Sequence, residues 1–161
     1  MKKNSFAPIS KNDATILILG TMPGEQSLKL QQYYGHARNN FWKIMFLLFD
    51  ENPSHNYQEK MNLLTQNKIA LWDVLEACER EGSLDSAIKM EVANDFKTFL
   101  KQHPNIKHIY FNGQKAAVFF KKYVPITDGY SFTTLPSTSP ANAGKSFENK
   151  LNEWKIIKET I

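Results

Sequence analysis

Residues 15–24 read TILILGTMPG, a run of apolar and β-branched residues that ends in a turn of glycine and proline. A continuous apolar run of this kind is typical of a strand that is buried on both faces of a parallel sheet. Gly20, Pro23 and Gly24 then predict a tight turn directly after the strand. The stretch therefore predicts a parallel sheet whose carboxyl edge carries a loop.

Three more short runs have the same strand-like composition. They are residues 69–72 (IALW), 107–111 (KHIYF) and 131–135 (SFTTL). Between them, apolar residues recur at helical spacing in the segments 40–49, 57–67, 94–102, 115–123 and 145–159. Asn94 is the predicted N-cap of the third of these helices. Strands that alternate with helices predict an α/β fold, a three-layer α/β/α sandwich with a central, mainly parallel sheet of about four strands.

Length and composition fit one folded domain. The chain has 161 residues, 42% of them hydrophobic, which suits a single core and excludes a disordered chain. We therefore expect residues 1–161 to form one domain and to act as a monomer. No apolar stretch has the length of a membrane-spanning helix, and residues 1–10 lack the apolar segment of a signal peptide. These features predict a cytoplasmic protein without a membrane partner.

Cysteine content and charge limit the classes of function. The single cysteine, Cys78, excludes an internal disulfide and a four-cysteine zinc or iron–sulfur site within the chain. The formal net charge of +4 weakly favours a polyanionic partner. Lys121, Lys122 and Lys145 could add nonspecific attraction to phosphates, although an ordinary solvated surface has a similar pattern of lysines.

Polar or turn-forming residues follow each predicted strand. They are residues 20–24, Asp73, the pair Asn112-Gly113 and residues 136–140. Ligands of parallel α/β sheets bind beyond the carboxyl ends of the strands, where these four clusters would meet. Each cluster alone is explained equally well by turn formation or helix capping. Their common place on one predicted edge favours a binding site.

The longer stretch 20–42, GTMPGEQSLKLQQYYGHARNNFW, resembles the first motif of the uracil-DNA glycosylase superfamily. The shared pattern is Gly-x-x-Pro-Gly, an aromatic residue, and then His-x-x-Asn-x-Phe-Trp. LPSTSPANAG (135–144) is similar to the Pro-Ser turn of that superfamily. The Met-Pro-Gly turn, the Tyr-Tyr pair, ALWDVL (70–75), GSLDS (82–86) and FNG (111–113) resemble its hypoxanthine-DNA glycosylase branch, which is related to mismatch-specific uracil-DNA glycosylases.

The resemblance implies a DNA repair enzyme. It would be a monofunctional DNA glycosylase that hydrolyses the N-glycosidic bond of deaminated bases, chiefly hypoxanthine. Its partner would be DNA that contains such a base. Water and fixed dipoles suffice for this chemistry, so we expect no metal and no cofactor.

The resemblance also implies roles for individual residues. Asn39 is carried over as the catalytic residue; as a neutral amide it would orient water or the sugar and would not act as a strong base. Tyr34 aligns with the aromatic residue that stacks on the flipped base, and Asn112 and Asp73 would contact the base edge. Met22, which we also place among the base-binding residues, stands where other relatives carry an Asp or Asn that positions water. Structural alternatives remain for each: Asn39 or Asp73 could cap a following helix, and Tyr34 could belong to the core.

The loop at 136–142 is the predicted DNA contact. Small hydroxyl residues and backbone N–H groups bind phosphates, and a residue of the loop could enter the gap that the flipped base leaves. The predicted DNA-contacting residues are Ser137, Thr138, Ser139, Pro140, Asn142 and His36. The loop could also be an ordinary turn, and His36 could be a structural histidine.

Two other functions are compatible with the sequence. Uracil, especially opposite guanine, could be the main substrate, although the apolar Met22 argues against strong uracil activity. A non-catalytic module that binds a nucleotide or damaged DNA is the second alternative. Its motivation is that Met22 and Leu135 are apolar at both positions where catalytic residues usually stand in the superfamily.

Overall fold

A computed structural model describes residues 2–126 and 128–161 of the chain. In chain order its strands are β1 (Lys2–Asn4), β2 (Ile16–Gly20), β3 (Ile69–Asp73), β4 (Leu75–Glu79), β5 (Lys89–Ala93), β6 (His108–Asn112) and β7 (Ser131–Leu135). Its helices are α1 (Glu25–Leu30), α2 (Phe41–Leu48), α3 (Tyr57–Gln66), α4 (Phe96–Gln102), α5 (Gln114–Tyr123), α6 (Phe147–Trp154) and α7 (Ile156–Thr160), and a 3₁₀ turn covers Asp85–Ala87. No helix of the described residues is long and apolar enough to cross a membrane.

The central sheet has four parallel strands in the order β3-β2-β6-β7. All four predicted strands are confirmed, each within one residue of its predicted bounds. The register pairs Gly20 with Asp73, so the last residues of β2 and β3 lie side by side. The carboxyl ends of all four strands therefore meet at one edge.

Two separate hydrophobic clusters cover the two faces of this sheet. Ile16 and Ile18 pack on one face with residues of α2, α3, α6 and α7, whereas Leu17 and Leu19 pack on the other with residues of α4 and α5. Successive strand residues point to opposite faces, and every residue of β2 is buried. This arrangement confirms the predicted three-layer α/β/α sandwich.

A second sheet was not predicted. It has three antiparallel strands in the order β1-β4-β5, and its pairing of β4 with β5 contains register shifts. β4 begins at Leu75, two residues after β3 ends, so no helix follows Asp73. The alternative in which Asp73 caps a following helix is therefore wrong. The connection between β4 and β5, residues 80–88, reaches the carboxyl edge of the parallel sheet.

Two helix predictions need correction, and one helix was not predicted. Helix α4 begins at Phe96 and is capped by Asp95, whose Oδ1 accepts a hydrogen bond from Thr98 N at 3.1 Å. The predicted cap, Asn94, instead donates from Nδ2 to Asp73 O at 2.8 Å and so fixes the end of β3. The predicted helix at 145–159 is divided into α6 and α7 at Lys155, and α1 was not predicted.

Candidate active site

A cavity of about 730 Å³ opens at the carboxyl edge of the parallel sheet. All four residue clusters that the sequence placed at this edge line it, which confirms their convergence. Every residue predicted for the site is also part of its wall: Met22, Tyr34, His36, Asn39, Asp73, Asn112, Ser137, Thr138, Ser139, Pro140 and Asn142.

Gly20 leaves space at the closed end of the cavity. A Cβ atom at this position would lie 2.6 Å from Asp73 Oδ1 and 2.6 Å from Tyr34 Oη. Contacts this short are not tolerated, so any side chain at Gly20 would displace both groups. Met22, two residues further on, is 8% exposed and packs with the apolar core between the sheet and helices α4 and α5. It contributes an apolar wall and no group that can polarise water.

Tyr34 is an aromatic wall held in place before any ligand binds. Its ring stacks on Phe41 with 4.2 Å between ring centroids and 27° between planes, and its backbone φ of 53° lies in the left-handed region. The hydroxyl is buried and makes no hydrogen bond of normal geometry to the described residues, although the Asn112 side chain lies close enough to it to lower its pKa. Burial and the nearby Asp73 charge raise the pKa of Tyr34, so the hydroxyl stays protonated and can donate.

Tyr33 has a structural role. Its side chain is 3% exposed, and its hydroxyl donates to Ala7 O at 2.8 Å. The backbone N–H of Tyr33 donates to the Tyr57 hydroxyl at 3.0 Å, and Trp42 Nε1 donates to Tyr33 O at 2.7 Å. These bonds fix the segment before Tyr34 and explain how its unusual backbone conformation is maintained.

Asp73 is the carboxyl group at the closed end of the cavity. The residue is 3% exposed, and its Oδ2 atom has no hydrogen-bond partner among the described residues. Burial raises the pKa of Asp73 to about 7; the charge of Asp85 acts in the same direction, and the Arg80 guanidinium opposes them. Both protonation states are therefore populated near neutral pH.

Residues 80–85 form a wall of the cavity for which no role was predicted from the sequence. The Arg80 side chain is completely buried, donates to Pro23 O and to Ser83 O at 3.4 Å, and pairs with Asp85 at 3.5 Å. Ser83 Oγ accepts from Glu25 N at 2.8 Å. These bonds fasten the segment to the turn after β2. The GSLDS motif at 82–86 was the signal in the sequence that could have indicated this wall.

Asn112 and Thr138 form a reciprocal pair of hydrogen bonds. Asn112 Nδ2 donates to Thr138 Oγ1 at 3.0 Å, and Thr138 N donates to Asn112 Oδ1 at 3.0 Å. Thr138 is 0% exposed, and its carbonyl accepts from Asn40 N at 3.1 Å. The predicted contact of Thr138 with a phosphate is therefore not available in this structure, because the residue is fully buried and its Oγ1, N and O atoms are all hydrogen-bonded. Thr138 anchors the loop, and the second amide hydrogen of Asn112 is left for the neighbouring Tyr34 hydroxyl or for a ligand.

Internal hydrogen bonds shape the rest of the loop 136–142. Ser137 Oγ accepts from Ser139 N at 3.2 Å, and Asn142 Nδ2 donates to Ser137 O at 3.1 Å. Trp154 Nε1 donates to Pro136 O at 2.9 Å and ties the loop to α6. The loop is thus a preformed turn at the mouth of the cavity.

Asn39 and His36 lie on the segment that leads into α2. Asn39 Oδ1 accepts from Phe41 N at 3.0 Å, so this side chain does serve the start of the helix, as its structural alternative proposed. The second lone pair of Oδ1 and the Nδ2 hydrogens are not used by that bond. His36 is exposed, and its Nδ1 accepts from Arg38 N at 3.0 Å.

Comparison with known proteins shows where this arrangement belongs. The model of a protein family described as the uracil DNA glycosylase superfamily matches residues 7–160. The chain belongs to the uracil-DNA glycosylase superfamily. The resemblance identified in the motif at 20–42 is thereby confirmed.

Two curated relatives narrow the position of the chain within the superfamily. A protein of Methanosarcina barkeri named hypoxanthine DNA glycosylase is 40% identical over 157 residues, 96% of each chain. A protein of the same name from Methanosarcina acetivorans is 39% identical over 160 residues, 98% of each. These names confirm the resemblance to the hypoxanthine branch.

A solved structure has the same fold. The solution NMR structure of a candidate uracil DNA glycosylase from Methanosarcina acetivorans superposes with a TM-score of 0.85 at 38% identity. The match covers 98% of this chain and 96% of the other. The α/β fold described above is therefore shared with that protein.

Of the three lysines predicted to attract phosphates, only Lys145 lies at the cavity. Lys145 lines it and pairs with Glu153. Helix α5 begins beside the cavity and runs away from it, which places Lys121 and Lys122 about 12 Å from its first residue at the usual helical rise. These two lysines do not line the cavity, and Lys122 pairs with Glu91 at 3.8 Å. Their predicted nonspecific attraction to phosphates, which does not require a place at the cavity, stays a prediction.

Proposed function

We propose that this chain is a monofunctional DNA glycosylase that hydrolyses the N-glycosidic bond of hypoxanthine in DNA. Residues 1–161 would act as one domain, as a cytoplasmic monomer, on DNA that contains a deaminated base. The observation that supports this most is the pair of unsatisfied polar groups, Asp73 and Tyr34, at the closed end of a cavity in a superfamily glycosylase. The names of the two curated relatives agree with it.

Base binding is the first step that the cavity suits. A base within a duplex must leave the stack to reach a catalytic group, at a cost of a few kcal/mol. Contact with an aromatic ring offsets about 1–3 kcal/mol of that cost per base. The Tyr34 ring already rests on Phe41, so it requires no ordering when the base arrives.

Stabilising the leaving base is the second step. Cleavage of the glycosidic bond places negative charge on the base and positive charge on the deoxyribose. Hypoxanthine has an N1–H donor and an O6 acceptor. The Tyr34 hydroxyl and the remaining Asn112 amide hydrogen can donate to O6 and so stabilise the negative charge, whereas Asp73 Oδ2 can accept N1–H, which orients the base. This step requires no proton transfer to or from Asn39.

Water attack at C1′ is the third step, and Asn39 is its proposed catalytic residue. The bond from Phe41 N holds the Asn39 side chain in one orientation. The unused groups of the amide can then bind and orient water or the sugar, and positioning of this kind accounts for large rate factors. Met22 supplies no group that could take over this role, since its side chain is a buried thioether.

The loop 136–142 is the proposed contact with the DNA backbone. Its turn is preformed by the bonds from Thr138 and Asn142, so little entropy is lost when DNA binds. Ser137 and Ser139 would contact phosphate, and Pro140 would enter the space that the extruded base leaves. Thr138 has no direct contact in this proposal.

Cleavage of labelled duplexes tests the function. Duplexes that carry deoxyinosine, deoxyuridine opposite guanine, or only normal bases are incubated with excess protein and then treated with alkali. We expect alkali-dependent cleavage of the deoxyinosine strand and much slower cleavage at deoxyuridine. Faster cleavage at deoxyuridine would favour the uracil alternative. Tight binding of the damaged duplexes without cleavage would identify a binding module and refute the proposal.

A further inference from the structure

A second cavity adjoins the mouth of the cavity described above. Its volume is about 450 Å³, within the range of about 300–1,000 Å³ that pockets for small ligands have. It is lined by residues of two separate segments, 83–84 and 139–141, and all of its lining residues except Ala37 also line the larger cavity. We call this space the side groove. Because the two spaces are continuous, DNA whose base enters the larger cavity would lie along the side groove.

Leu84 is the large apolar side chain of the side groove, and its backbone is fixed. The residue is 59% exposed, more than any other leucine of the described chain. The buried Arg80 side chain donates to Ser83 O at 3.4 Å, and Ser83 Oγ accepts from Glu25 N at 2.8 Å. Leu84 O accepts from Ala87 N at 3.1 Å. Single exposed leucines are common, but this one is held in place at the entrance to a binding cavity.

The charges of the side groove suit a nucleobase better than a phosphate. Glu25 lines it and would repel an anion, and no lysine or arginine is among its lining residues within the described chain. Leu84, Pro140 and Ala141 give it apolar surface. Its other lining residues are small or can form hydrogen bonds: Gln26, His36, Ala37, Ser83 and Ser139.

We propose that the side groove is the subsite for the nucleotide next to the extruded one, and that Leu84 packs against the base of that nucleotide. This inference rests on the proposed glycosylase function and adds a second DNA contact to it. Extrusion of one base uncovers a face of each neighbouring base, and leucine is among the side chains that proteins place against base steps opened in this way. Apolar contact removes the uncovered face from water.

The role of Leu84 differs from that of Pro140. Pro140 would enter the space that the extruded base leaves, whereas Leu84, from another segment, would cover one neighbour of that space. Leu84 touches no reacting atom in this arrangement. It would stabilise the extruded state through one flanking nucleotide, and its contribution would depend on whether that nucleotide carries a base.

The test is a double-mutant cycle between Leu84 and the flanking bases. Duplexes carry deoxyinosine with a normal nucleotide on both sides, or with a tetrahydrofuran abasic analogue as its 5′ or its 3′ neighbour. Wild type, Leu84→Ser and Leu84→Met are compared with Leu47→Ser as the matched control, since Leu47 is 39% exposed on α2 and lines neither cavity. Single-turnover excision is measured at limiting protein concentration, and thermal unfolding of each variant checks that it is folded.

The expected coupling involves one neighbour only. Burial of a leucine side chain corresponds to at least about a tenfold effect, so Leu84→Ser should lower excision about tenfold when both neighbouring bases are present. Removal of one particular neighbouring base should reduce this loss to less than about twofold, whereas removal of the other should leave it unchanged. Leu84→Met keeps an apolar side chain and should keep the coupling. Leu47→Ser should behave as wild type, and Leu84→Ser should unfold at the wild-type temperature because the residue is exposed.

Two results would overturn the subsite while the glycosylase function stands. One is excision of hypoxanthine that Leu84→Ser leaves unchanged, or lowers equally with and without each neighbouring base. The other is equal coupling to both neighbours, which would place Leu84 in the vacated space itself. If no duplex is excised, the function fails, and the same cycle measured as binding affinity for the deoxyinosine duplexes decides the inference: coupling to one neighbour supports it, and its absence overturns it.

Discussion

Two variants of the hydrogen-bonded pair Asn112 and Thr138 can show whether Asn112 recognises the base or only anchors the loop 136–142. Thr138→Val keeps the shape of the side chain but removes the hydroxyl that accepts from Asn112 Nδ2 at 3.0 Å. Thr138 is 0% exposed, so this change cannot remove a direct contact with a substrate. Asn112→Ala removes both bonds of the pair and also an amide that lines the cavity. Thr138→Val therefore weakens only the anchor of the loop, whereas Asn112→Ala removes the anchor and a polar group of the cavity.

The expected losses of stability follow from the groups left unpaired. A buried donor without its acceptor costs about 1–3 kcal/mol, so Thr138→Val should lower the free energy of unfolding by about 2 kcal/mol. For a chain of this length that is a fall in Tm of about 4–8 °C. Asn112→Ala leaves two groups of Thr138 unpaired, for which we expect about 2–4 kcal/mol.

The expected losses of activity differ more than the losses of stability. After Thr138→Val, the bonds from Thr138 N to Asn112 Oδ1 and from Asn40 N to Thr138 O remain, so the loop keeps its place. Single-turnover excision of hypoxanthine should stay within about threefold of wild type, because no interaction with the transition state is lost. Asn112→Ala should lower it at least about tenfold, or about 1.4 kcal/mol of barrier.

Single-turnover excision at 25 °C, with thermal unfolding of the same samples, measures both quantities. Equal losses of activity in the two variants would show that Asn112 acts only by holding the loop. Full activity of Asn112→Ala in a folded protein would remove Asn112 from the site altogether.

Three further predictions follow from the site. Asn39→Ala should lower single-turnover excision at least about tenfold, yet cost only about 1 kcal/mol of stability, since one bond at the start of α2 is lost; full activity would end its catalytic assignment. Tyr34→Ala should reduce excision of hypoxanthine more than binding of an undamaged duplex, because only the extruded base meets the ring; equal losses in both assays would indicate a general defect. Affinity for duplex DNA should fall steeply with rising salt if the loop contacts phosphates, and titration from low to high salt would reveal a flat dependence if it does not.

The parallel sheet was predictable because its signal is local. TILIL is apolar throughout, and burial of all five residues of β2 is what such a run indicates. The carboxyl edge followed from topology, and the residues after each strand do line one cavity. The antiparallel sheet had no comparable signal. β1 has three residues and pairs Lys2 with Glu79, so its partner lies far away in the sequence.

The contacts that organise the site also join distant parts of the chain. Arg80 binds Pro23 across 57 positions, and Asn112 binds Thr138 across 26. No periodicity or spacing in the sequence indicates such pairs, which is why Thr138 was predicted to contact DNA and Arg80 received no role. The two candidate caps, Asp95 and Asn94, are adjacent polar residues, and the choice between them depends on the bond from Asn94 to Asp73 O.

Hydrolysis in water enriched in ¹⁸O tests the central claim most directly. A deoxyinosine duplex is incubated with excess protein, and the free base and the strand are analysed by mass spectrometry before any alkali is added. The proposed function predicts one free hypoxanthine without ¹⁸O for each intact strand, whose abasic deoxyribose has gained one ¹⁸O atom at C1′. Absence of free hypoxanthine, or strand cleavage before alkali treatment, would contradict a monofunctional hypoxanthine-DNA glycosylase.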